Sequence, residues 1–382
     1  MPEMAGMRIP WSCSISGKAS ARGTPPYPAI LSALLLVLLL ISCATPRVAA
    51  PGGESVVPAL VEGYSGEGYF LARDGRELPL RMWLPQEKNG QSQVVPGAVI
   101  AALHGFNDYS NAFETTGIFL ARRGIATYAF DQRGFGAGPQ AGLWAGVTAM
   151  TNDAHDFVCV LRRRYPGVPL FFLGESMGAA VIMASMTEDT SSSVAAVDGV
   201  ILLAPAVWAR ETMSPLQVGL LWLVAHTMPG VQLTGQGLRI RASDNNTMLR
   251  ALSADPLVIK ETRVDAMYGL SNLMDAALAS APLVAKMRAP MLILYGRRDE
   301  VIPIEPVAVM LERLPDAGGG NGGDDGGGEI TLGVYDRGFH MLTRDLQGWR
   351  VMEDMAAWIA DPAAPLPSGA HMRARERLAE DE

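Results

Sequence analysis

The chain has 382 residues, 49% of them hydrophobic, which is enough to bury a sizeable core in one large α/β domain with insertions or in two small domains. The formal net charge is -8 at pH 7, and no basic cluster follows the first residues, so we exclude nucleic-acid binding. The three cysteines, Cys13, Cys43 and Cys159, lack metal-ligand spacing and form no obvious disulfide framework. We expect neither a metal ion nor another cofactor.

The N-terminal segment predicts export. Three basic residues, Arg8, Lys18 and Arg22, precede an apolar run over residues 31–41. This run is too short to cross a bilayer comfortably, but its length is typical of the hydrophobic part of a signal peptide. We therefore leave residues 1–42 out of the fold prediction as a signal peptide.

The end of the apolar run, Leu40-Ile41-Ser42-Cys43, resembles a bacterial lipobox. The resemblance implies acylation of Cys43 and a lipid-anchored protein of the bacterial cell envelope, and Ala44 favours the outer membrane, facing the periplasm. An ordinary secretory peptide or an uncleaved N-terminal anchor is the alternative. Residues 43–59 are rich in proline, glycine, alanine and valine, a composition typical of a tether.

From about residue 60, apolar runs typical of strands alternate with helical patterns. The predicted strands are 68–72, 78–84, 98–103, 125–130, 169–173 and 197–203, and the predicted helices are 113–123 and 153–165. A turn sequence between the first two strands predicts an antiparallel hairpin. The later alternation predicts a mostly parallel sheet with helices on both faces, whose first part covers residues 60–206.

The alternation of strands and helices stops after residue 206. Residues 207–281 are helix-like without strands and predict a helical cap inserted over the strand ends. The apolar run 215–225 within the cap is too short for a transmembrane helix. We expect this run to be buried in the cap core; the alternative is an acyl-chain wall or a membrane-facing lid.

The sheet resumes over residues 282–360. The predicted elements of this part are strands at 290–296 and 330–335 and helices at 306–314 and 351–359. Between them, residues 316–328 are almost all Gly, Asn and Asp and predict a flexible loop, with calcium binding as a remote alternative because the regular ligand spacing is missing. We expect residues 361–382 to form a disordered tail.

Residues 169–180 predict a nucleophile elbow, in which a strand turns sharply into a helix with a serine at the turn. They contain the G-x-S-x-G motif Gly174-Glu175-Ser176-Met177-Gly178. A Cβ atom at Gly174 or Gly178 would collide with the crossing strand and helix. The turn presents the Ser176 hydroxyl as a nucleophile, and it places the Met177 N–H where an oxyanion develops on an attacked carbonyl.

A serine nucleophile needs a histidine to accept its proton and a carboxylate to orient that histidine. Asp299 and His340 each follow a predicted strand, at the edge where open α/β sheets place their sites, and they complete the order nucleophile, acid, base after Ser176. His340 is the best placed of the five histidines. Glu300 and Asp336 remain alternative acids.

The loop after the strand at 98–103 predicts the second half of an oxyanion hole. Its sequence, His104-Gly105-Phe106, resembles the His-Gly-x element of α/β-hydrolases. Gly105 lets the backbone approach the substrate, and the Phe106 N–H is expected to act together with the N–H of Met177. We expect His104 to be a structural hydrogen-bonding residue.

Five motifs together resemble the monoacylglycerol lipase and lysophospholipase branch of the α/β-hydrolases, sometimes labelled serine aminopeptidase-like. They are His104-Gly105, Asp131-x-Arg133-Gly134-x-Gly136, Gly174-x-Ser176-Met177-Gly178, Gly296-x-x-Asp299-x-Val301-Ile302-Pro303 and His340. The resemblance covers residues 63–359 and implies the α/β-hydrolase fold with its inserted helical cap. The chain departs from the family at Asn107-Asp108 and at Phe135. We expect Asp131 and Arg133 to form a charge pair that fixes their loop.

This combination predicts a serine esterase that works through an acyl-enzyme, in which Ser176 attacks an ester carbonyl, His340 relays the proton and Asp299 orients His340. By resemblance, the substrate is a monoacyl lipid, either a monoacylglycerol or a lysophospholipid. Acyl transfer to another acceptor, cleavage of small peptides and a noncatalytic envelope role are the alternatives. The expected partners are a small lipid or ester and, through the N-terminal anchor, a membrane; no feature indicates an oligomeric state.

Overall fold

The computed structural model describes residues 45–63, 66–86, 94–186, 197–235, 240–286, 289–314 and 328–380, together with the single residues 32 and 237. The predicted signal peptide over residues 1–42 and the predicted lipidation site Cys43 lie outside the described residues, as does most of the glycine-rich run. The fold described below belongs to the unit that begins at Ala44.

The predicted strands match observed strands to within two residues at either end. The strands of the described residues are β1 (Ala59–Glu62), β2 (Glu67–Leu71), β3 (Glu77–Trp83), β4 (Ala98–Leu103), β5 (Ile125–Phe130), β6 (Leu170–Glu175), β7 (Gly199–Leu203), β8 (Gln232–Thr234), β9 (Glu261–Arg263), β10 (Met291–Gly296) and β11 (Ile330–Tyr335). The α-helices are α1 (Glu114–Ala121), α2 (Val147–Arg164), α3 (Met177–Ala184), α4 (Pro215–Thr227), α5 (Asn246–Ala254), α6 (Val264–Ser280), α7 (Ile304–Arg313), α8 (Gly348–Ala360) and α9 (Ala374–Ala379).

In the described part of the chain, one central sheet contains nine strands in the order β1-β2-β3-β5-β4-β6-β7-β10-β11. Neighbouring strands pair in parallel along the part of the sheet formed by β5, β4, β6, β7, β10 and β11. The strands β1, β2 and β3 form an antiparallel edge that joins β5. Helices cover both faces. The predicted fold class, a mostly parallel α/β sheet covered on both sides, is confirmed.

Both faces of the sheet are buried, because its central strands are continuous apolar runs. In β4, Val99, Ala101 and Leu103 pack into the core that contains α2 and α3, whereas Ile100 and Ala102 pack into the core that contains α1 and α8. Every residue of β4, β5, β6 and β10 is buried. The carboxyl ends of the parallel strands therefore form a rigid edge on which loops can bring distant side chains together.

The chain between β7 and β10 forms the cap and contains α4, α5 and α6, with α6 packed against α3. The prediction that this region lacks strands is wrong, because β8 and β9 pair as a short antiparallel sheet in which Gln232 lies opposite Arg263. Strands of three residues are too short to produce a recognisable alternation. No described helix is both long enough and apolar enough to cross a membrane.

The apolar helix α4 lies on the surface of the cap. Leu216 is 79% exposed, Leu220 57% and Trp222 52%, and in α4 only Ala225 is buried. The expectation that residues 215–225 are buried in the cap core is therefore wrong. An exposed apolar surface of this kind is typical of a face that contacts a ligand, a membrane or another protein.

The described part of the C-terminal segment, residues 361–380, contacts β11 and contains helix α9, where the sequence predicted a disordered tail over residues 361–382. As far as residue 380, where the described part ends, it lies along β11: the Val334 N–H donates to the Ala370 carbonyl (2.9 Å), and Arg377 donates to the Val334 carbonyl (2.6 Å). Because β11 is the edge strand of the sheet, these bonds satisfy backbone groups that no further strand pairs. The proline-rich and charged composition of the segment gives no sign of these contacts.

The predicted tether, residues 43–59, runs along the surface of the domain in its described part. The Ala49 N–H donates to the Trp144 carbonyl (2.7 Å), and the Gly52 N–H donates to the Asp74 carboxylate (2.8 Å). A free tether would leave these groups to water. The prediction of a linker rested on the side-chain composition of residues 43–59, whereas the contacts described here are made by backbone N–H groups.

The predicted charge pair between Asp131 and Arg133 is also wrong. Arg133 instead donates to Asp74, in the turn between β2 and β3, and to Asp153 on α2. The hydrogen bond from Arg133 lowers the pKa of Asp74 to about 2. The Asp131 carboxylate accepts from the backbone N–H (3.0 Å) and the hydroxyl (2.5 Å) of Ser110. Each of the two side chains thus has partners that are distant in sequence.

Candidate active site

Ser176 lies at a sharp turn between β6 and α3. Its φ of 52° and ψ of -111° are unfavourable for a residue with a side chain, and such strain concentrates at functional sites. A Cβ atom at Gly174 would collide with the backbone of Ala179, and one at Gly178 would collide with the Leu103 carbonyl. The two glycines therefore allow β6, α3 and β4 to approach as closely as the turn requires.

The backbone of Ser176 is held on both sides of the turn. Its N–H donates to the Leu203 carbonyl at the end of β7 (2.9 Å), and its carbonyl accepts from the N–H groups of Ala180 and Ala206 (3.1 Å each). The residue is 7% exposed. Neighbouring strands thus keep the serine in its strained conformation.

The loop after β4 passes directly over the serine. A Cβ atom built at Gly105 would lie 3.4 Å from the Ser176 Cβ atom and 4.0 Å from its Oγ atom. The next residue, Phe106, packs edge-on against Phe135. Within the described part of the chain, the N–H groups of Phe106 and Met177 have no hydrogen-bond partner, which leaves both available to an oxyanion.

His104 joins the loops that follow β4 and β5. Its Nε2 atom accepts from the backbone N–H of Gln132 (2.9 Å), so the ring proton lies on Nδ1, which donates to the Gly105 carbonyl (2.8 Å). The Gln132 side chain donates in return to the His104 carbonyl (2.8 Å). Complete burial lowers the pKa of His104 and favours the neutral ring. Both ring nitrogens are therefore engaged in fixing the loop.

Asp299 and His340 lie in the loops after β10 and β11 and contact each other. The His340 Nδ1 atom donates to Asp299 Oδ2 (2.7 Å), and Asp299 Oδ1 accepts from the N–H groups of Val301 (2.8 Å) and Ile302 (2.9 Å). Since Nδ1 is bound to the carboxylate, Nε2 is the nitrogen that can accept a proton.

The electrostatic environment of His340 suits a general base. The residue is 6% exposed, and burial lowers its pKa, but the charge and hydrogen bond of Asp299, together with the charge of Glu175, outweigh burial, so the pKa of His340 is raised above its ordinary value. Asp299 thus stabilises the imidazolium that forms when the ring takes a proton.

The two alternative acids have other partners. Glu300 accepts from the backbone N–H of Arg241 in the cap (2.7 Å). Asp336 is exposed and pairs with Arg297 and Arg377. Among the described residues, Asp299 is the carboxylate that binds the ring of His340.

The cap is attached to the loop that contains His340. The Ser243 hydroxyl donates to one oxygen of Asp345 (2.6 Å), and the Phe339 N–H donates to the other (2.8 Å). The Met341 N–H donates to the Ala242 carbonyl of the cap (3.0 Å). Burial raises the pKa of Asp345 to about 6. These bonds join this part of the cap to the loop that contains His340.

Sequence reasoning missed a buried ion cluster of Arg344, Asp108 and Glu175. Arg344 donates to Asp108 (2.7 Å) and to Glu175 (2.9 Å), and all three side chains are nearly inaccessible to solvent. Glu175, at the second position of G-x-S-x-G, was a sequence signal for this cluster, because a carboxylate at the end of a buried strand requires a cation.

The described residues contain no group of three or more His, Cys, Asp or Glu side chains placed to bind a metal ion. Ser176 in its strained turn, the hydrogen-bonded pair of His340 and Asp299, and the N–H groups of Phe106 and Met177, unbonded among the residues described, are the components that acyl transfer to a serine requires. On a mostly parallel sheet with an inserted cap, they define an α/β-hydrolase, here a carboxylic ester hydrolase.

The particular family follows from comparison with known proteins. The family model described as serine aminopeptidase, S33, matches residues 95–347, and the chain belongs to this family. The chain is 22% identical over 309 residues to the monoacylglycerol lipase of Mycolicibacterium smegmatis, an alignment that covers 78% of this chain and 99% of that protein. It is 24% identical over 302 residues to the monoglyceride lipase of Rattus norvegicus, covering 78% and 91% of the two chains.

A solved structure shares the fold at low sequence identity. A soluble variant of the monoglyceride lipase from Saccharomyces cerevisiae, in complex with a substrate analog, is similar with a TM-score of 0.58 and 20% identity. The match covers 81% of this chain and 98% of that one.

Proposed function

We propose that the protein hydrolyses the ester bond of monoacyl lipids, monoacylglycerols or lysophospholipids, through an acyl-enzyme on Ser176. The observation that carries this proposal is the hydrogen bond between His340 and Asp299 at the sheet edge where Ser176 occupies a strained elbow. The carboxylate orients His340 as a base, which a serine nucleophile needs because its hydroxyl is weakly nucleophilic without one.

The reaction proceeds in two stages. Ser176 Oγ attacks the ester carbonyl while His340 Nε2 takes its proton, and the N–H groups of Phe106 and Met177 hold the oxyanion. His340 then gives the proton to the departing alcohol. In the second stage, His340 removes a proton from water, which attacks the acyl-enzyme and releases the fatty acid and the serine hydroxyl.

Two observations favour a monoacyl lipid over other esters. The similar proteins from Mycolicibacterium smegmatis and Rattus norvegicus are a monoacylglycerol lipase and a monoglyceride lipase. The cap exposes the apolar side chains of Leu216, Leu220 and Trp222, which suit contact with an acyl chain or with a lipid aggregate that supplies it.

A substrate panel tests this proposal. Short and long p-nitrophenyl esters, a monoacylglycerol, lysophosphatidylcholine and a proline anilide are each incubated with the purified protein and with its Ser176→Ala variant. We expect turnover that depends on Ser176 and is at least about tenfold higher in kcat/KM for the monoacyl lipids than for the short ester, because the longer chain buries more apolar surface.

Each other outcome selects a different function. Turnover of short esters alone would retain the esterase and remove the lipid assignment. Serine-dependent cleavage of the anilide would indicate an aminopeptidase, and transfer of the acyl group to an added alcohol in preference to water would indicate an acyltransferase. Absence of turnover across the panel would favour the noncatalytic envelope role.

We also propose that Cys43 is acylated and anchors the protein in the bacterial cell envelope, at the outer membrane facing the periplasm. The support is the sequence Leu40-Ile41-Ser42-Cys43 after an apolar run. Mass spectrometry of the N-terminal peptide from protein made in a bacterial host should identify an acylated Cys43 as the first residue. Fractionation should find a Cys43→Ser variant released from the membrane; a mature chain that begins elsewhere would contradict the anchor.

A further inference from the structure

Arg344 connects three loops of the active site through one buried ion cluster. Its Nη1 atom donates to Asp108 Oδ2 (2.7 Å), and its Nη2 atom donates to Glu175 Oε1 (2.9 Å). Asp108 belongs to the loop after β4 that begins with His104-Gly105-Phe106, called the oxyanion loop below. Glu175 immediately precedes Ser176 at the elbow. Arg344 itself follows His340 by four residues. One guanidinium thus joins the loop after β4, the elbow and the loop that contains His340.

The cluster is buried deeply enough for its charges to interact strongly. The side chain of Arg344 is 9% exposed, that of Asp108 7% and that of Glu175 2%. The planar guanidinium holds two carboxylates in fixed directions, which an ammonium group cannot do. Without the arginine, two buried carboxylates would lack a counter-ion and would repel each other.

We propose that Arg344 is a positioning residue that fixes the oxyanion loop, the elbow and the His340 loop relative to one another by binding Asp108 and Glu175. It acts through these loops and does not contact the reacting atoms. The inference rests on the proposed function, because it takes Ser176 and His340 as the reacting groups.

The cluster also contributes to the charge around His340. The charged groups that face the ring are Asp299 from the loop after β10, Glu175 from β6 and Arg344 from its own loop, while Asp345 binds the backbone of the same loop. After burial, which lowers the pKa of His340, both carboxylates raise it and Arg344 lowers it. Loss of the arginine charge therefore raises the pKa of His340, and loss of the Glu175 charge lowers it.

The test compares kcat, KM and the pH dependence of kcat/KM for p-nitrophenyl butyrate in three variants of the full chain. Arg344→Met is expected to lower kcat about 100-fold with KM changed by less than about threefold, and to move the acid limb to higher pH. Arg344→Lys should regain at least about tenfold of the lost kcat, because lysine keeps the positive charge but lacks the planar guanidinium that binds both carboxylates. Glu175→Gln should move the acid limb to lower pH.

Arg133 provides a matched control. Its side chain is 8% exposed and also lies between two carboxylates, Asp74 and Asp153, but it joins the β2–β3 turn to α2. Arg133→Met is expected to lower the thermal stability while kcat stays within about threefold of the unmodified protein and the acid limb stays in place.

Three results would overturn the inference: unchanged kcat in Arg344→Met, an equal loss of kcat in Arg133→Met, or acid limbs that do not move in opposite directions. If Arg344→Met does not fold, Glu175→Gln decides, since an unshifted acid limb in that variant excludes the electrostatic coupling. Full activity of Ser176→Ala would instead refute the proposed function. Activity that depends on Ser176 but not on Arg344 would refute this inference alone.

Discussion

Replacing Ser176 with alanine is expected to lower the kcat for ester hydrolysis by about 10⁵-fold or more without unfolding the protein. The acyl-enzyme requires the serine oxygen, which alanine lacks. Alanine adds no atom to the crowded elbow, and the backbone bonds of residue 176 to Leu203 and Ala206 are independent of its side chain. Rates on p-nitrophenyl butyrate and thermal unfolding measure the two parts of this expectation.

Ser185→Ala is the matched control for this prediction. Ser185 follows the last turn of α3, the helix that begins after Ser176, and its hydroxyl donates to the Ile182 carbonyl (2.6 Å). We expect this variant to retain the activity of the unmodified protein. Full activity in Ser176→Ala would exclude the assignment of the nucleophile, and equal losses in both variants would indicate a general disturbance of α3.

Asp299→Asn is expected to lower kcat/KM by about 10³- to 10⁴-fold. The carboxylate accepts the Nδ1 proton of His340, which leaves Nε2 free to act as the base. An amide in its place can donate to Nδ1 and so favour the tautomer whose proton lies on Nε2. The ring can then no longer take the proton of Ser176.

The same variant should shift the pH dependence of the remaining activity. The base must be unprotonated, so activity falls as the pH drops below the pKa of His340. Burial lowers this pKa and Asp299 raises it, with a net rise in the unmodified protein. Without the carboxylate, the pKa of His340 falls, and the acid limb of kcat/KM moves to lower pH. A limb that moved to higher pH would contradict this electrostatic account.

Asp336→Asn and Glu300→Gln are the matched controls for the acid. Asp336 binds Arg297 and Arg377, and Glu300 binds the backbone of Arg241. We expect each to keep kcat/KM within about threefold of the unmodified protein, since neither acid contacts His340. A loss in either control as large as that of Asp299→Asn would reassign the acid.

The central strands could be predicted because local sequence and burial agree there. β4, β5, β6 and β10 are short apolar runs, and a strand buried on both faces needs apolar residues at every position. The elbow could be predicted for a similar reason. A side chain at either glycine of the motif would collide within the turn or with the adjacent strand. The presence of both glycines therefore indicates the geometry of the turn.

The incorrect predictions concern backbone contacts, ion pairs between distant segments and the position of helix α4. The C-terminal segment binds the edge strand β11 through the Ala370 carbonyl and the Arg377 side chain, and a composition rich in proline and charge does not reveal such contacts. Arg133 and Asp131 are two residues apart, but Arg133 binds carboxylates on other elements. Asp131 accepts from Ser110 and from the Ala137 N–H of its own loop. The sequence of helix α4 is apolar enough to predict burial, but the helix lies at the outer surface of the cap. This position depends on how the cap folds.

The sequence by itself determined the buried strands, the strained serine turn and the residue types that follow the strands at one edge of the sheet, because these depend on local sterics and on the cost of exposing apolar surface. The tertiary structure decided which of these residues meet. His340 binds Asp299 across 41 positions, and Arg344 reaches Glu175 and Asp108 across 169 and 236 positions. Such contacts depend on the order of the strands in the sheet, because residues so far apart in sequence come together only when the strands are arranged in that order.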